Sequence, residues 1–365
     1  MKFIINKEVL LKELENLLGP ATTKQNLPVL SSILIQVSDK KIKLTTTDLD
    51  ITIISFCETT VTEPGAVAVP MKRFLSIIRE LPFGQLTVET TKNNLLIRCE
   101  KIEFKINTLD TAEFPKIEET KKASFIKINP LDLRDMIQMT SFCVGYEDVN
   151  YVLNGILFEI FEDEIRLVAT DGKRLAYSKR KLSKTQPDIK TKISFILPIK
   201  AINELFKLIK DLNDDILLFT EDNKVGFDFK DTQFVARPIE GEFPAYEQYI
   251  PKENKEKLVV NRQQFMLALR RADLLSTQDY QGVRLELKKD EIVVSKNTPQ
   301  LGEVREVIEA RYAGGPLQIG FNPHYMIDML KNLEDAEACF EFFGTEKPAI
   351  LRKEDYVYLV LPLRI

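Results

Sequence analysis

Val69-Pro70-Met71-Lys72-Arg73-Phe74-Leu75-Ser76-Ile77-Ile78-Arg79-Glu80-Leu81 is an extended apolar stretch that reaches a proline and runs into an amphipathic helix. The pattern returns at intervals of roughly 125 residues, far beyond a solenoid period. Its second copy is Leu197-Pro198-Ile199-Lys200-Ala201-Ile202-Asn203-Glu204-Leu205-Phe206-Lys207-Leu208-Ile209. Its third is Gly320-Phe321-Asn322-Pro323-His324-Tyr325-Met326-Ile327-Asp328-Met329-Leu330-Lys331. The flanks repeat as well. Asn26-Leu27-Pro28-Val29-Leu30 is echoed by Asn150-Tyr151-Val152-Leu153-Asn154-Gly155, and Glu113-Phe114-Pro115 by Glu242-Phe243-Pro244. A period this long means whole domains, so the chain reads as three copies of one domain, with boundaries at 1–121, 122–251 and 252–365.

Each copy contains two helical stretches separated by strands. The first helices fall near 7–18, 131–142 and 262–275, the second near 72–81, 200–212 and 323–333. Leu10, Leu11, Leu14, Leu17 and Leu18 recur at three and four, as do Ile202, Leu205, Phe206, Ile209 and Leu212, giving one buried stripe per helix. Lys41-Ile42-Lys43-Leu44-Thr45, Glu164-Ile165-Arg166-Leu167-Val168 and Val283-Arg284-Leu285-Glu286-Leu287 alternate with period two, the mark of half-buried antiparallel strands. Asp39-Lys40 and Glu162-Asp163 mark hairpin turns, and charged linkers fall at 118–123 and 251–257. The expected class is α+β, three times over, with helices on one face of antiparallel sheets.

Composition narrows the function. With 365 residues, 44% hydrophobic and 29% charged, the chain is an ordinary globular protein. It shows no signal-peptide pattern and no apolar run long enough to span a membrane. Cys57, Cys99, Cys143 and Cys339 are widely spaced and read as buried thiols of a reducing, cytoplasmic compartment. The net charge of −4 does not advertise a nucleic-acid partner. Charge can nonetheless segregate between faces, and the predicted helices together are marginally basic.

Catalytic signals are few. The only histidine, His324, sits in a first helical turn with no nucleophile at a useful spacing, and no phosphate loop, H-E-x-x-H or G-x-S-x-G occurs. A metal- or phosphate-dependent hydrolase using Asp48, Asp50 or Asp171 is the alternative reading. Against it, Thr47-Asp48 recurs as Thr170-Asp171 (and as Lys296-Asn297 in copy three), which points to a turn whose carboxylate accepts backbone N–H groups. No cofactor and no metal is expected. The apolar end, Tyr358-Leu359-Val360-Leu361-Pro362-Leu363-Arg364-Ile365, reads as a core strand or one wall of a groove, and Pro362 disfavours a central strand throughout.

Taken together the chain resembles the bacterial DNA polymerase III beta subunit family, the sliding clamps. The resemblance runs the full length, on Met1-Lys2-Phe3, Asn26-Leu27-Pro28-Val29-Leu30, Leu153-Asn154-Gly155, Ala169-Thr170-Asp171-Gly172-Lys173-Arg174-Leu175-Ala176, Glu242-Phe243-Pro244, Ile319-Gly320-Phe321-Asn322 with Tyr325, and Leu361-Pro362-Leu363-Arg364-Ile365. It implies a non-catalytic processivity factor, a head-to-tail homodimer closing into a ring of six domains around duplex DNA, helices lining the hole. Implied partners are double-stranded DNA, the replicative polymerase alpha subunit, the clamp loader, and other proteins carrying a clamp-binding motif, such as repair polymerases, mismatch-repair proteins and ligase.

The resemblance also implies residue roles. A peptide groove would use Leu153, Thr170, Gly172, Lys173, Arg174, Leu175, Pro244, Asn322, Tyr325, Pro348, Val360, Leu361, Pro362, Leu363 and Arg364. Gly172 would permit close backbone approach and Arg174 would hold a polar peptide group. Lys24, Arg73, Arg79, Lys200 and Lys207 would face DNA. Phe104 and Ile106 would pack on Leu274 and Leu275 of a second copy, with Lys72, Arg73 and Lys105 pairing to Glu303 and Glu306. Lys173, Gln248 and Tyr249 depart from residues frequent in the family, which puts the partner motif preference in question.

Overall fold

Three asparagines begin the same helix three times. In the computed structural model, Asn6, Asn129 and Asn261 each turn a side-chain oxygen onto a backbone N–H of the following turn, at 2.7, 2.9 and 3.0 Å from Glu8, Leu131 and Gln264. The structure describes residues 1–21, 27–117, 125–146, 148–182, 192–254 and 256–364.

The first copy runs β1 (Lys2–Asn6), α1 (Lys7–Asn16), α2 (Leu18–Ala21), β2 (Ser32–Ser38), β3 (Lys41–Thr47), β4 (Ile51–Glu58), β5 (Thr60–Glu63), β6 (Gly65–Pro70), α3 (Met71–Glu80), β7 (Gln85–Thr91), β8 (Asn94–Cys99) and β9 (Ile102–Asn107). The second runs β10 (Ile126–Ile128), α4 (Pro130–Thr140), β11 (Gly155–Ile160), β12 (Glu164–Thr170), β13 (Arg174–Lys181), β14 (Ile193–Pro198), α5 (Ile199–Leu208), β15 (Ile216–Glu221), β16 (Lys224–Asp228) and β17 (Thr232–Ala236). The third runs β18 (Lys257–Asn261), α6 (Arg262–Asp273), β19 (Val283–Leu287), β20 (Glu291–Thr298), β21 (Gly302–Tyr312), β22 (Leu317–Phe321), α7 (Pro323–Asn332), β23 (Glu337–Glu341), β24 (Ala349–Lys353) and β25 (Tyr356–Val360). The expected helices are present, most a residue or more shorter at the C-terminal end. Among the described residues no helix is long and apolar enough to cross a membrane.

The pairing repeats with the sequence. In each copy the first strand pairs antiparallel with the strand after the second helix: β1 with β7, β10 with β15, β18 with β23. The strand after the first helix (or the short helical turns that follow it) pairs with the strand before the second: β2 with β6, β11 with β14, β19 with β22. In copies one and three the first helix lies beside the second, α1 beside α3 and α6 beside α7. In copy one Lys7, buried at the start of α1, donates Nζ to the carbonyls of Arg79 (2.9 Å) and Leu81 at the end of α3. In copy three Arg262 does the same from α6 to Leu330 of α7 at 3.0 Å. Both cations sit where the partial negative charge of a helix C-terminus accumulates.

The copies do not pack as three separate bodies. One compact unit comprises Met1–Leu131 with Asn203–Pro238; the other is built on Asp132–Lys184, Asp188–Ile202 and Ile239–Ile365. The cause is strand pairing across copy boundaries. In the first unit β17 pairs with β4, making an eight-stranded sheet in the order β10-β15-β16-β17-β4-β3-β2-β6 beside a five-stranded sheet, β5-β1-β7-β8-β9. In the second, β25 pairs with β13 inside a twelve-stranded sheet. The helices bury Met71, Phe74, Leu75 and Ile78 in one unit and Phe265, Met266, Leu269 and Leu330 in the other. Cys57, Cys99 and Cys143 are buried, whereas Cys339 is only half-buried, because its side chain lies on the less covered face of β23. Burial first, then Glu13 and Asp231, push the Cys57 thiol up to about 12.

The two cross-copy junctions share one turn. Asp48 Oδ1 accepts from Asp50 N (3.1 Å) and Ile51 N (2.7 Å), and Asp171 Oδ1 accepts from Lys173 N and Arg174 N, both at 2.9 Å. Thr47 Oγ1 donates to Ile51 O and Thr170 Oγ1 to Arg174 O, at 3.0 and 2.6 Å. Copy three departs: Lys296 and Asn297 stay inside β20, paired with Val304 and Glu303. The third turn residue is left-handed in both junctions, Leu49 at φ 80° and Gly172 at φ 79°. A left-handed residue with a Cβ costs about 1–2 kcal/mol, and Leu49 is 49% exposed, so little burial offsets it. Leu49→Gly is expected to stabilise the fold by about 1 kcal/mol, and Gly172→Ala to destabilise it comparably; thermal melting of the two variants, which should move in opposite directions, checks this.

Candidate functional site

The site grows from the β12–β13 turn. Arg174, the first residue of β13, is nearly enclosed: Nε donates to Asp171 Oδ2 at 3.0 Å and Nη1 to Asp328 Oδ2 of α7 at 2.9 Å. Its guanidinium lies 4.5 Å from the Tyr325 ring centre and 5.8 Å from that of Phe142. The predicted role of holding a polar peptide group therefore meets a side chain already engaged by two carboxylates and two rings. Burial pushes the neighbouring Cys143 thiol well up, so it adds no charge beside the guanidinium. Burial likewise raises the Tyr325 phenol.

The chain end changes character at Val360. Through Val360 it is a core strand: Leu359 pairs with Leu175 and Val360 with Arg174, and β24 flanks the other side. Beyond Val360 it crosses the sheet ends as an exposed strip. Leu361 N donates to Lys173 O at 2.9 Å and Leu363 N to Gly320 O at 2.8 Å, while Pro362 between them has no donor to lose. Leu361 is 41% and Leu363 36% exposed.

Under this strip lies a buried apolar cluster. Leu153, Leu175, Leu359, Val152 and Tyr246 belong to it, with Phe243 and Ile250 packed alongside. Pro244 and Pro348 are half-buried. Asn322 serves as the N-cap of α7, its Oδ1 accepting from His324 N at 3.0 Å, and so belongs to the frame. Tyr325 is anchored through its carbonyl, which accepts from Tyr358 Oη at 2.7 Å. Within the chain a Cβ on Gly172 would meet nothing within 4 Å, and its positive φ favours glycine there. Sequence reading missed Asp328 and Phe142, whose helical contexts carry no motif; it also missed Tyr246, three residues beyond the repeated Phe243.

The remaining candidates divide between the units. Arg73 and Lys200 are exposed on α3 and α5; Arg79 pairs with Glu15 and Lys207 with Glu204, at 2.9 and 2.8 Å. Lys24 lies outside the described residues. In the first unit β9 is a sheet edge on which Phe104 is 38% exposed. Ile106, predicted to share its interface, is only 6% exposed because it sits beside α3, in a hollow with Lys72, Arg73 and Ser76. In the second unit β21 pairs with β20 along most of its length but with β18 only from Ala310, so its first half has an open edge. Leu274 is 80% exposed and Leu275 half-buried. Glu303 is exposed, while Glu306 is already bonded within its own unit by Arg271 Nε at 2.8 Å. The hydrolase reading has no support: Asp48 and Asp171 are spent as turn acceptors, and no cluster of three metal-ligating side chains exists among the described residues.

Comparison with known proteins agrees along the whole chain. Family descriptions of the DNA polymerase III beta subunit match in order, the N-terminal domain at residues 1–118, the central domain at 127–245 and the C-terminal domain at 247–364. The chain is 30% identical to the beta sliding clamp of Escherichia coli strain K12 and 31% identical to that of Pseudomonas putida, covering all of both chains in each case. Among solved structures it is similar to the DNA polymerase sliding clamp of Pseudomonas aeruginosa, with TM-score 0.94 and 31% identity over both full chains. The sliding clamp of Bacillus subtilis gives TM-score 0.94 and 31% identity, covering all of this chain and 99% of the other. Replacing Arg174 by methionine keeps the packing but takes from Asp171 and Asp328 the guanidinium they share; a loss of about 2 kcal/mol is expected, measured as a lowered unfolding midpoint.

Proposed function

The chain belongs to the DNA polymerase III beta subunit family, the sliding clamps, and from that membership we infer that it is a non-catalytic processivity factor of a bacterial replicative DNA polymerase. The observation that carries this is the match of all three domains to that family, in order along the chain. In this reading the protein works as a homodimer in the cytoplasm. The open edges of β9 and β21 support it, since each offers unpaired backbone groups beside exposed apolar side chains, Phe104 and Leu274. A head-to-tail contact between two such edges makes a closed dimer when its rotation is a half turn, and the two joints are then equivalent.

The ring would surround duplex DNA without reading it, through Arg73, Arg79, Lys200 and Lys207, with Lys24 as a further candidate. The pairs of Arg79 and Lys207 are exposed and weak, so either cation can exchange its carboxylate for a phosphate. Contacts of this kind weaken steeply with salt, whereas topological linkage does not. The protein loaded on closed circular DNA is expected to stay bound in high salt and to be lost when the circle is cut. Leu274→Glu with Leu275→Glu should give folded monomers that are not retained. Equal salt sensitivity on circles and linear DNA would overturn encirclement.

The groove beside the chain end would take short linear motifs of polymerases, the clamp loader and other DNA-processing proteins. Leu153, Leu175, Val360 and Leu361 supply apolar anchoring surface, with Thr170, Lys173, Pro244, Pro348, Pro362, Leu363 and Arg364 around it. A few buried anchors dominate such affinities. Because the core strand ends at Val360, a chain lacking residues 361–365 is expected to melt within a few degrees of the parent while losing polymerase-peptide binding by about a hundredfold. Calorimetry and peptide anisotropy separate the two effects.

A further inference from the structure

The β13–β25 junction has a counterpart in the first unit, and the two have been filled in opposite ways. There β17 pairs with β4, Val235 opposite Thr52 and Ala236 opposite Ile51, and Arg237 N donates to Asp50 O at 2.9 Å. That bond matches Leu361 N to Lys173 O in the second unit. On the helix-free face of this junction lies a cavity of about 990 Å³. Its apolar surfaces include Ile54, Phe56, Val235 and Ile117. Among the described residues six cations line it, Lys40, Lys41, Lys43, Lys116, Lys224 and Arg237, against two carboxylates, Asp39 and Asp50.

The repeat shows what this charge lacks. At the position of Lys43, the third residue of β3, the second unit has Arg166, the third of β12. Arg166 is neutralised there by Glu164 and by Glu247, the latter at 3.2 Å. The counterpart of Glu164, the first residue of its strand, is Lys41. A cation thus replaces the neutralising acid. Leu361, the apolar residue beyond the strand, is likewise replaced by Arg237.

We propose that this cavity docks an acidic linear segment of a partner protein, with one aliphatic or aromatic side chain seated over Ile54 and Val235 and carboxylates meeting Lys41, Lys43 and Arg237. The charge excess selects an anionic occupant, and the apolar floor selects one with a side-chain anchor. Single-stranded nucleic acid fits less well, because it needs successive aromatic platforms and Phe56 is the one aromatic among the described lining residues.

Fluorescence anisotropy of the full chain, with a labelled short peptide of aspartate and glutamate around a single isoleucine, tests this. Binding is expected, weakening with salt, and falling at least about tenfold in Lys43→Glu with Arg237→Glu. If that variant melts early, Lys43→Gln with Arg237→Gln replaces it, with about a threefold loss expected. The chain lacking residues 361–365 should bind the acidic peptide unchanged, so failure of the groove reading and failure of this one are distinguishable. Undiminished binding in the charge variants, absence of binding by the parent chain, or capture of labelled oligothymidylate in preference to the peptide would each overturn the proposal.

Discussion

Everything in the second unit hangs on one antiparallel contact, the pairing of β25 with β13. It carries the last strand of the chain onto the second copy, joins strands of both into one sheet, and fixes where the apolar end emerges. Hydrogen bonds of a sheet interior are costly to leave unmade, so register here is not free to slip. Leu175 and Leu359 face each other only in this register, and a shift of β25 by one residue would turn Leu359 away from the buried cluster that Leu175 faces. The exposed strip after Val360 follows from the same constraint: Pro362 cannot donate, pairing ends, and Leu361 and Leu363 are held at the surface by single bonds.

The fold was largely legible in the sequence because it is written three times. A helix or strand inferred weakly in one copy gains support from its counterparts, and the stripes of α3, α5 and α7 lie close to where the period of three and four puts them. The Thr-Asp turns were also readable, since Asp48 and Asp171 satisfy nearby N–H groups whatever surrounds them. What sequence could not supply was the grouping of the copies. Strand pairing between β17 and β4 is a long-range choice, and nothing local in Thr232–Ala236 marks it as belonging with the first copy.

The candidate site was half legible. Apolar residues near the chain end announced a groove wall, but the state of Arg174 depended on Asp328 and Phe142, brought in by helices distant in sequence. Ile106 shows the opposite failure: strand alternation gave it the same face as Phe104, yet α3 covers one and not the other. The caps were missed for a simpler reason. Asn6, Asn129 and Asn261 each look unremarkable alone, and the signal lies only in their recurrence.

The shared turn has a further meaning for how such a chain changes over time. In both junctions its threonine hydroxyl and one aspartate oxygen bond to the backbone of the turn, so the turn carries much of its own frame. Duplicated junctions built on it can drift apart in surface chemistry without either losing its frame. Leucines stand at one and lysines at the other, while the left-handed residue, Leu49 or Gly172, keeps nearly the same angle in both. Divergence after duplication is thereby steered toward the faces that meet other molecules and away from the scaffold that presents them.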